Sequence, residues 1–205
     1  ELLYKCLSQK AFYGLPEFYR EQIRGRRLIA NPGGYSTAVP LALAPALEAG
    51  LADTQGIVAD CKSGVTGAGR KTTQNTHYPE LNESFTAYKV AAHRHTPEME
   101  QTLSRLSGTD IRLTFVPHLL PVNRGILATC YARLKPGATL VLLREAYRSR
   151  YDGGALVRLP PEGRVAAIRN VRYSNFCDLP LHVDERTGTL VAVSAIDNMV
   201  KGAAG

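Results

Sequence analysis

The stretch Leu28–Gly50, LIANPGGYSTAVPLALAPALEAG, decides the predicted architecture of the chain. Leu28–Ala30 predicts a short apolar strand, a tight turn follows, and a helix capped by Ser36 or Thr37 then runs to the end of the stretch. Position 34 lies just ahead of this helix, where backbone N–H groups and the helix dipole stabilise negative charge. Such a position suits a thiolate nucleophile or a bound anion, and the residue that occupies it is Gly34.

The remaining strands and helices are predicted from apolar patterns and turn residues. We expect strands over 56–61, 111–116, 125–134, 179–183 and 190–195, and helices over 15–24 and 139–151. Another helix is expected to start after Thr96 as its cap, and residues 63–70 are expected to be irregular because they are rich in glycine. A turn over 184–188 joins the last two strands as a hairpin. Strands that cluster after two initial helix units predict an α+β fold with a mainly antiparallel mixed sheet and flanking helices.

Composition and charge exclude several classes of protein. The 205 residues are 44% hydrophobic and 21% charged, and the net charge is +7. This composition argues against intrinsic disorder, and no apolar run reaches the roughly 20 residues of a membrane span. The basic residues are scattered, and the densest clusters, at 24–27 and 144–150, lack the interleaved aromatic residues of a single-strand binding surface. The interpretation of the chain as a basic RNA-binding protein therefore rests on charge alone. A small anionic ligand such as a phosphate ester or a dinucleotide is favoured over nucleic acid.

The cysteines predict neither a metal site nor a disulfide framework. Cys6, Cys61, Cys130 and Cys177 lie far apart and form no C-x-x-C pair. We therefore expect reduced, buried thiols and no metal. The N-terminus lacks the residue order of a signal peptide, which favours a cytoplasmic location with no membrane partner.

Five segments together resemble one enzyme family in the order in which that family carries them. They are Asn31–Thr37, Lys62–Arg70, His93–Glu98, Pro117–Gly125 and Asp197–Gly205. The chain, from Gly14 to its last residue, resembles N-acetyl-gamma-glutamyl-phosphate reductases, which reduce an acyl phosphate to an aldehyde with NADPH in arginine biosynthesis. The resemblance implies the C-terminal catalytic domain of a glyceraldehyde-3-phosphate dehydrogenase-like fold.

Members of that family are longer than this chain, and this implies a division into domains. Residues 1–30 are predicted to be the tail end of a Rossmann NADP-binding domain that is missing here, 31–196 the catalytic and dimerisation domain, and 197–205 the start of a C-terminal helix. The chain contains no G-x-G-x-x-G behind a strand. The resemblance also implies a homo-oligomer, a dimer or a tetramer.

The resemblance assigns the catalytic and substrate-binding residues. A cysteine thiolate of the family displaces phosphate to form a thioester, which hydride reduces, and that cysteine corresponds to Gly34. His93 corresponds to the acid/base histidine. Arg94 and Arg124 are candidates for binding a substrate carboxylate or phosphate, with ordinary ion pairs as the alternative. His95 and His118 are expected to be structural.

Cofactor contacts are implied for the glycine-rich segment and for the last segment. The expected NADP-binding residues are Ser63, Gly64, Gly67, Gly69 and Asn198. Backbone N–H groups of such a segment suit a phosphate or an oxyanion, although a flexible surface loop is the alternative from the residues alone.

Glycine at the nucleophile position has a direct functional consequence. Gly34 has no side chain with which to attack, Ser36 is not placed to replace it, and Cys177 is expected to be a buried apolar residue. The chain as given is therefore predicted to be inactive. Two alternatives stay open: an acyl-phosphate reductase of the lysine pathway with an aminoadipyl substrate, and a non-catalytic dimerisation or interaction module.

Overall fold

The computed structural model describes residues 10–205, so Cys6 and its predicted burial lie outside the described residues. The α-helices of this part are α1 (Pro16–Ile23), α2 (Gly34–Glu48), α3 (Tyr78–Leu81), α4 (Thr96–Ser107) and α5 (Leu140–Tyr151). The strands are β1 (Phe12–Tyr13), β2 (Ile29–Ala30), β3 (Ile57–Gly64), β4 (Thr86–Ala87), β5 (Leu113–Leu120), β6 (Ile126–Arg133), β7 (Val157–Arg158), β8 (Cys177–Asp178), β9 (Leu181–Asp184) and β10 (Thr189–Ile196). Short 3₁₀ segments lie at Val65–Ala68, Gln74–Thr76 and Ile168–Asn170, and one π-helical turn lies at Val200–Ala204.

One mixed sheet organises the fold. Its strand order is β4-β5-β3-β6-β10-β8-β7, and β9 pairs with β10 beside β8. The β3–β5 and β7–β8 pairs are parallel, whereas the other pairs of this sheet are antiparallel. Strands β9 and β10 form the expected hairpin. The predicted α+β class with a mainly antiparallel mixed sheet is therefore confirmed.

Helix α2 fills the centre of the core. Every residue from Tyr35 to Leu47 is buried, because the helix is apolar on all sides and packs against β6, β10, α4 and α5. Its alanines let these neighbours approach closely. The start of α2, with Gly34 as its first residue, is thereby fixed in the middle of the domain.

Two tyrosines of α5 satisfy backbone groups of α2. Pro45 has no N–H, so the carbonyl of Leu41 lacks its usual partner within the helix. The Tyr151 hydroxyl donates a hydrogen bond to this carbonyl at 2.7 Å, and the Tyr147 hydroxyl donates to the carbonyl of Ala42. Both tyrosines are buried, so this pairing lets a proline-containing helix lie inside the core.

Two predicted helix starts are wrong, by three or four residues in α2 and by one residue in α4. Helix α2 begins at Gly34 after Gly33, rather than after Ser36 or Thr37, and the Thr37 hydroxyl donates back to the Gly33 carbonyl. Helix α4 begins at Thr96 and follows His95, so Thr96 does not cap it. In both cases no side chain of the preceding residue caps the helix, and tertiary contacts position its start instead.

The expectation of an irregular segment over 63–70 is also wrong in part. Strand β3 extends to Gly64, because β5 on one side and β6 on the other pair with its last residues. Val65–Ala68 then form a 3₁₀ turn, and Gly69 leaves it with φ +82°. The sheet thus holds the first half of the glycine-rich segment.

Candidate functional site

Gly34 stands at the first turn of α2 in a tightly packed position. An ideal Cβ added there would lie 2.7 Å from the Cδ1 atom of Ile126 and 3.3 Å from the carbonyl oxygen of Gly202. The Ile126 atom is the far end of a flexible side chain, so a small side chain fits after a rotamer change. A Cβ at position 34 therefore requires Ile126 to move, and it would remain in tight contact with the backbone of Gly202.

His93 and His95 lie beside the start of α2. The rings of the two histidines are 4.8 Å apart, and the ring of Tyr35, the residue after Gly34, lies 5.5 Å from His93 and 6.1 Å from His95. A Cβ on Gly33 would fall 2.4 Å from the His95 ring, so this glycine is needed for the close approach. The fold thus brings the predicted acid/base residue into the group of rings at the start of α2, through Tyr35 and His95.

The His93 ring is buried and neutral. Tyr35, Tyr88 and Phe115 surround it in edge-to-face contacts, and the centroids of their rings lie 5.3 to 5.7 Å from that of His93. This burial, helped by the neighbouring charges of His95, Lys89 and Arg94, lowers the pKa of His93 to about 4. At neutral pH the imidazole is therefore uncharged.

A backbone hydrogen bond sets the tautomer of His93. The N–H of His95 donates to Nδ1 of His93 at 3.1 Å. A neutral imidazole that accepts at Nδ1 carries its proton on Nε2. His93 can therefore donate a hydrogen bond from Nε2, and it can take up a proton there only after its Nδ1 contact has changed.

Glu98 is a site residue that the sequence interpretation missed. Its carboxylate Oε1 accepts hydrogen bonds from the Tyr13 hydroxyl at 2.9 Å and from the Gly33 N–H at 3.3 Å. Burial, together with the charge of Glu98, raises the pKa of Tyr13. The sequence shows Glu98 only as an acidic residue in a first helical turn, and no local signal indicates that it holds the turn before α2.

The glycine-rich segment has a buried half and an exposed half. Ser63 is buried and its hydroxyl donates to the Gly64 carbonyl, while a Cβ on Gly64 would lie 2.8 Å from backbone atoms of Asn123 and Arg124. Ser63 and Gly64 therefore pack the turn against the β5–β6 connection. Gly67 and Gly69 are exposed at the tip.

Asn198 connects this turn to the β5–β6 connection. Its Oδ1 accepts from the Gly125 N–H at 2.8 Å, and its Nδ2 donates to the Thr66 hydroxyl at 2.9 Å. A Cβ on Gly67 would lie 3.4 Å from the same Nδ2. The side chain of Asn198 keeps one further N–H, and we call this group together with the exposed tip at Gly67 and Gly69 the cradle.

Arg124 is fixed by a buried carboxylate. Its Nη1 lies 3.2 Å from both oxygens of Asp197, which is fully buried and also accepts from the backbone N–H groups of Tyr173, Met199 and Val200. Burial alone would raise the pKa of Asp197, but these hydrogen bonds outweigh it and hold the pKa below its ordinary range. Asp197 is therefore an anionic anchor for the guanidinium.

The other predicted residues differ in accessibility. Arg94 is exposed beside His93, and no ion pair joins it to another residue within 10–205. His118 contacts Asp60 at 3.2 Å, on another part of the sheet. Ser36 is fully buried.

The cysteines of the described part are inert by burial. Cys61, Cys130 and Cys177 are free and buried, and burial raises the pKa of each thiol, in Cys177 to about 12. In residues 10–205 no three His, Cys, Asp or Glu side chains are grouped to hold a metal ion. No helix within the same range is long and apolar enough to cross a membrane.

Comparison with known protein families gives one match over most of the chain. Residues 34–198 match the family described as semialdehyde dehydrogenase, dimerisation domain. Aspartate semialdehyde dehydrogenase II from Vibrio cholerae has a similar fold, with a TM-score of 0.72 at 16% identity over 96% of this chain and 65% of the other. A probable aspartate-semialdehyde dehydrogenase from Pseudomonas aeruginosa gives a TM-score of 0.70 at 12% identity, over 95% of this chain and 65% of the other.

Curated relatives are much closer in sequence. The N-acetyl-gamma-glutamyl-phosphate reductase of Symbiobacterium thermophilum is 52% identical over 97% of this chain and 58% of its own length. The reductase of the same name from Brachyspira hyodysenteriae is 49% identical over 100% of this chain and 60% of its own length. The chain thus spans about three-fifths of the length of these relatives.

Proposed function

Since the chain belongs to the semialdehyde dehydrogenase dimerisation-domain family, we propose that it is the catalytic and dimerisation part of a longer reductase. The reaction proposed for the longer protein is NADPH-dependent reduction of N-acetyl-gamma-glutamyl phosphate to N-acetylglutamate semialdehyde, with release of phosphate, in arginine biosynthesis. The observation that carries this proposal is the identity of about one half to relatives named for that activity.

The domain division follows from the same proposal. Residues 1–30 would be the end of a preceding NADP-binding domain, 31–196 the catalytic and dimerisation domain, and 197–205 the start of a C-terminal helix. The family name supports a homo-oligomer, and a cytoplasmic location fits an enzyme of amino-acid biosynthesis.

The residues near the start of α2 have defined parts in the proposed reaction. A nucleophile at position 34 would lie at the start of a buried helix, where the dipole stabilises a thiolate. It would attack the acyl carbon, the carbon–oxygen bond to phosphate would break, and a thioester would form. Hydride supplied by the cofactor would reduce this thioester, and the neutral His93 would donate a hydrogen bond from its Nε2–H to the oxygen on which negative charge develops. Collapse of this adduct would release the aldehyde and return the thiolate.

The cofactor site is proposed on the cradle of Asn198 and the exposed glycine tip. NADPH supplies the hydride in this chemistry when it is bound. Asn198, held by Gly125 and Thr66, would orient the nicotinamide end, and Gly67 and Gly69 leave the approach free of side chains. Ser63 and Gly64 would act indirectly, by fixing the turn from below.

Gly34 makes this chain inactive in the proposed reaction. Glycine offers no nucleophile, and the buried thiols of the described part cannot replace one. This observation favours a second candidate function for the chain as given, a non-catalytic dimerisation module that keeps the fold and its interface.

Turnover by the longer protein tests the proposal. With Gly34 in place, we expect no consumption of NADPH in the presence of N-acetyl-gamma-glutamyl phosphate, and Gly34→Cys should produce it. The matched control is Ser36→Cys, which places a thiol two residues later in a fully buried position and should restore nothing. An aminoadipyl phosphate offered in parallel identifies the lysine-pathway alternative by its higher kcat/KM.

Two outcomes would overturn parts of the proposal. Equal turnover with Gly34 and with Gly34→Cys would remove the argument for a thiolate at this position. No turnover of either acyl phosphate after Gly34→Cys, in a protein that is folded and binds NADPH, would favour the non-catalytic module.

A further inference from the structure

Tyr173 has an unusual backbone for a residue of its type. Its φ is +62°, in the left-handed region that large side chains rarely adopt. The backbone N–H of Tyr173 donates to the buried carboxylate of Asp197 at 2.6 Å. This hydrogen bond to a charged group holds Tyr173 in its strained conformation. Backbone strain of this kind is concentrated at functional sites, where the surrounding structure maintains it.

The side chain of Tyr173 lies against the guanidinium of Arg124. The Cζ atom of Arg124 is 4.8 Å from the ring centroid, within the range of a cation–π contact, and Arg172 lies 5.5 Å from the same ring. The ring is nevertheless 69% exposed. An exposed aromatic ring in a strained conformation is therefore used to contact two positive charges rather than to fill a core.

Arg124 is held on two sides and keeps donors for a third contact. Asp197 takes Nη1, and the Tyr173 ring covers the guanidinium plane. The Nε and Nη2 groups have no hydrogen-bond partner among residues 10–205, and 27% of the Arg124 side chain is exposed. A guanidinium fixed in this way can offer its remaining edge to an oxyanion in two parallel hydrogen bonds.

We propose that Tyr173 is a positioning residue that clamps Arg124, through its ring and through Asp197, for binding an oxyanion such as a phosphate or a carboxylate. Arg124 follows Asn123, against which Gly64 packs, and precedes Gly125, which Asn198 binds. The clamp is thus continuous with the cradle proposed for the cofactor. The proposal rests on the proposed function for the identity of the anion in the reaction, and it does not need turnover to be tested.

Binding of inorganic phosphate to this chain, measured by calorimetry, is the test. Tyr173→Gly fits the positive φ and removes the ring, so we expect a stable protein whose phosphate affinity is lower by about 2- to 5-fold, the worth of one exposed cation–π contact. Tyr173→Phe keeps the ring and should restore the affinity. Tyr78→Gly, at another exposed tyrosine, is the matched control and should not change it.

Variants of Arg124 locate the phosphate. Arg124→Gln should lower the affinity by at least about 10-fold, because hydrogen bonds to a charged group are lost. Arg124→Lys is the second variant, in case Arg124→Gln does not fold, because it keeps a positive charge beside Asp197. The lysine variant should still bind phosphate less tightly than the unsubstituted chain, because lysine lacks the planar guanidinium.

The failure of this proposal is distinct from failure of the proposed reaction. Saturable phosphate binding that is unchanged by Tyr173→Gly, or by Arg124→Lys in a folded protein, would overturn the clamp whatever the activity of the longer protein. Absence of any saturable phosphate binding by the unsubstituted chain would overturn it as well. Binding that follows the expected order supports it even if no acyl phosphate is reduced.

Discussion

Gly34→Cys should be tolerated by the fold at small cost. Replacing glycine at a helical position with ordinary φ stabilises the folded state by about 0.4–1 kcal/mol, because the unfolded chain loses freedom. The new Cβ would lie 2.7 Å from Cδ1 of Ile126, and moving that side chain off its rotamer costs about 0.5–1.5 kcal/mol. The two effects leave a net change within about 1 kcal/mol, which corresponds to a Tm shift of roughly 2–4 °C or less.

Ile126→Val separates these two effects. The substitution deletes the Cδ1 atom that would meet the new Cβ, so it should cost about 0.5–1.5 kcal/mol beside Gly34 and less beside Gly34→Cys. Urea unfolding of the four combinations measures the coupling. Additive free energies would refute the contact between position 34 and Ile126.

The reactivity of the new thiol tests the electrostatic part of the same reasoning. At the start of α2 its pKa should lie below the roughly 8.5 of a free cysteine, whereas burial raises the pKa of Cys61, Cys130 and Cys177. Alkylation with iodoacetamide followed by peptide mapping should therefore label position 34 at least about 10-fold faster than these three. If the pH dependence of the labelling rate gave the thiol at position 34 a pKa of 8.5 or above, activation by the helix would be refuted.

Three other perturbations have defined outcomes. Tyr151→Phe leaves the carbonyl of Leu41 without a partner and should lower the free energy of unfolding in urea by about 1–3 kcal/mol; no change would contradict the role of this hydroxyl. Gly64→Ala forces its Cβ to 2.8 Å from the backbone of the β5–β6 connection and should cost roughly 1–3 kcal/mol by the same measurement, whereas Gly154→Ala, with no atom closer than 3.5 Å, should cost much less. The pKa of His93 is lowered from 6.5 to about 4 in the folded protein, so between these pH values the unfolded chain binds a proton that the folded chain does not, and the free energy of unfolding falls as the pH falls. His93→Phe should therefore make the free energy of unfolding depend less steeply on pH between 7 and 4. An unchanged slope would contradict a buried neutral ring.

The main elements of the fold could be predicted from the sequence because their patterns are local. The apolar run of α2 and the turn at 184–188 each lie within a few residues, and the structure confirms the helix and the hairpin there. The start of α4 could not be placed in this way. Thr96 satisfies the local preference for a cap, but His95 is held beside Gly33 by packing, and the helix begins one residue earlier than that preference indicates.

The site could be predicted only where single residues matched a motif. The resemblance assigns His93 the acid/base role, and the structure shows its ring against that of Tyr35, the residue after position 34; the role itself stays a prediction. The supporting groups depend on contacts between residues far apart in the chain. Asp197 binds Arg124 across 73 positions and Glu98 binds the Gly33 N–H across 65, and no periodicity or spacing in the sequence indicates such pairs.

Acyl transfer to position 34 tests the central claim most directly. The Gly34→Cys protein is mixed with N-acetyl-gamma-glutamyl phosphate without NADPH, and phosphate release and protein mass are followed. A thiolate at the start of α2 predicts phosphate release faster than spontaneous hydrolysis and an acyl adduct on the new thiol, while the unsubstituted Gly34 protein gives neither. Equal phosphate release and equal acylation of the two proteins would contradict the account.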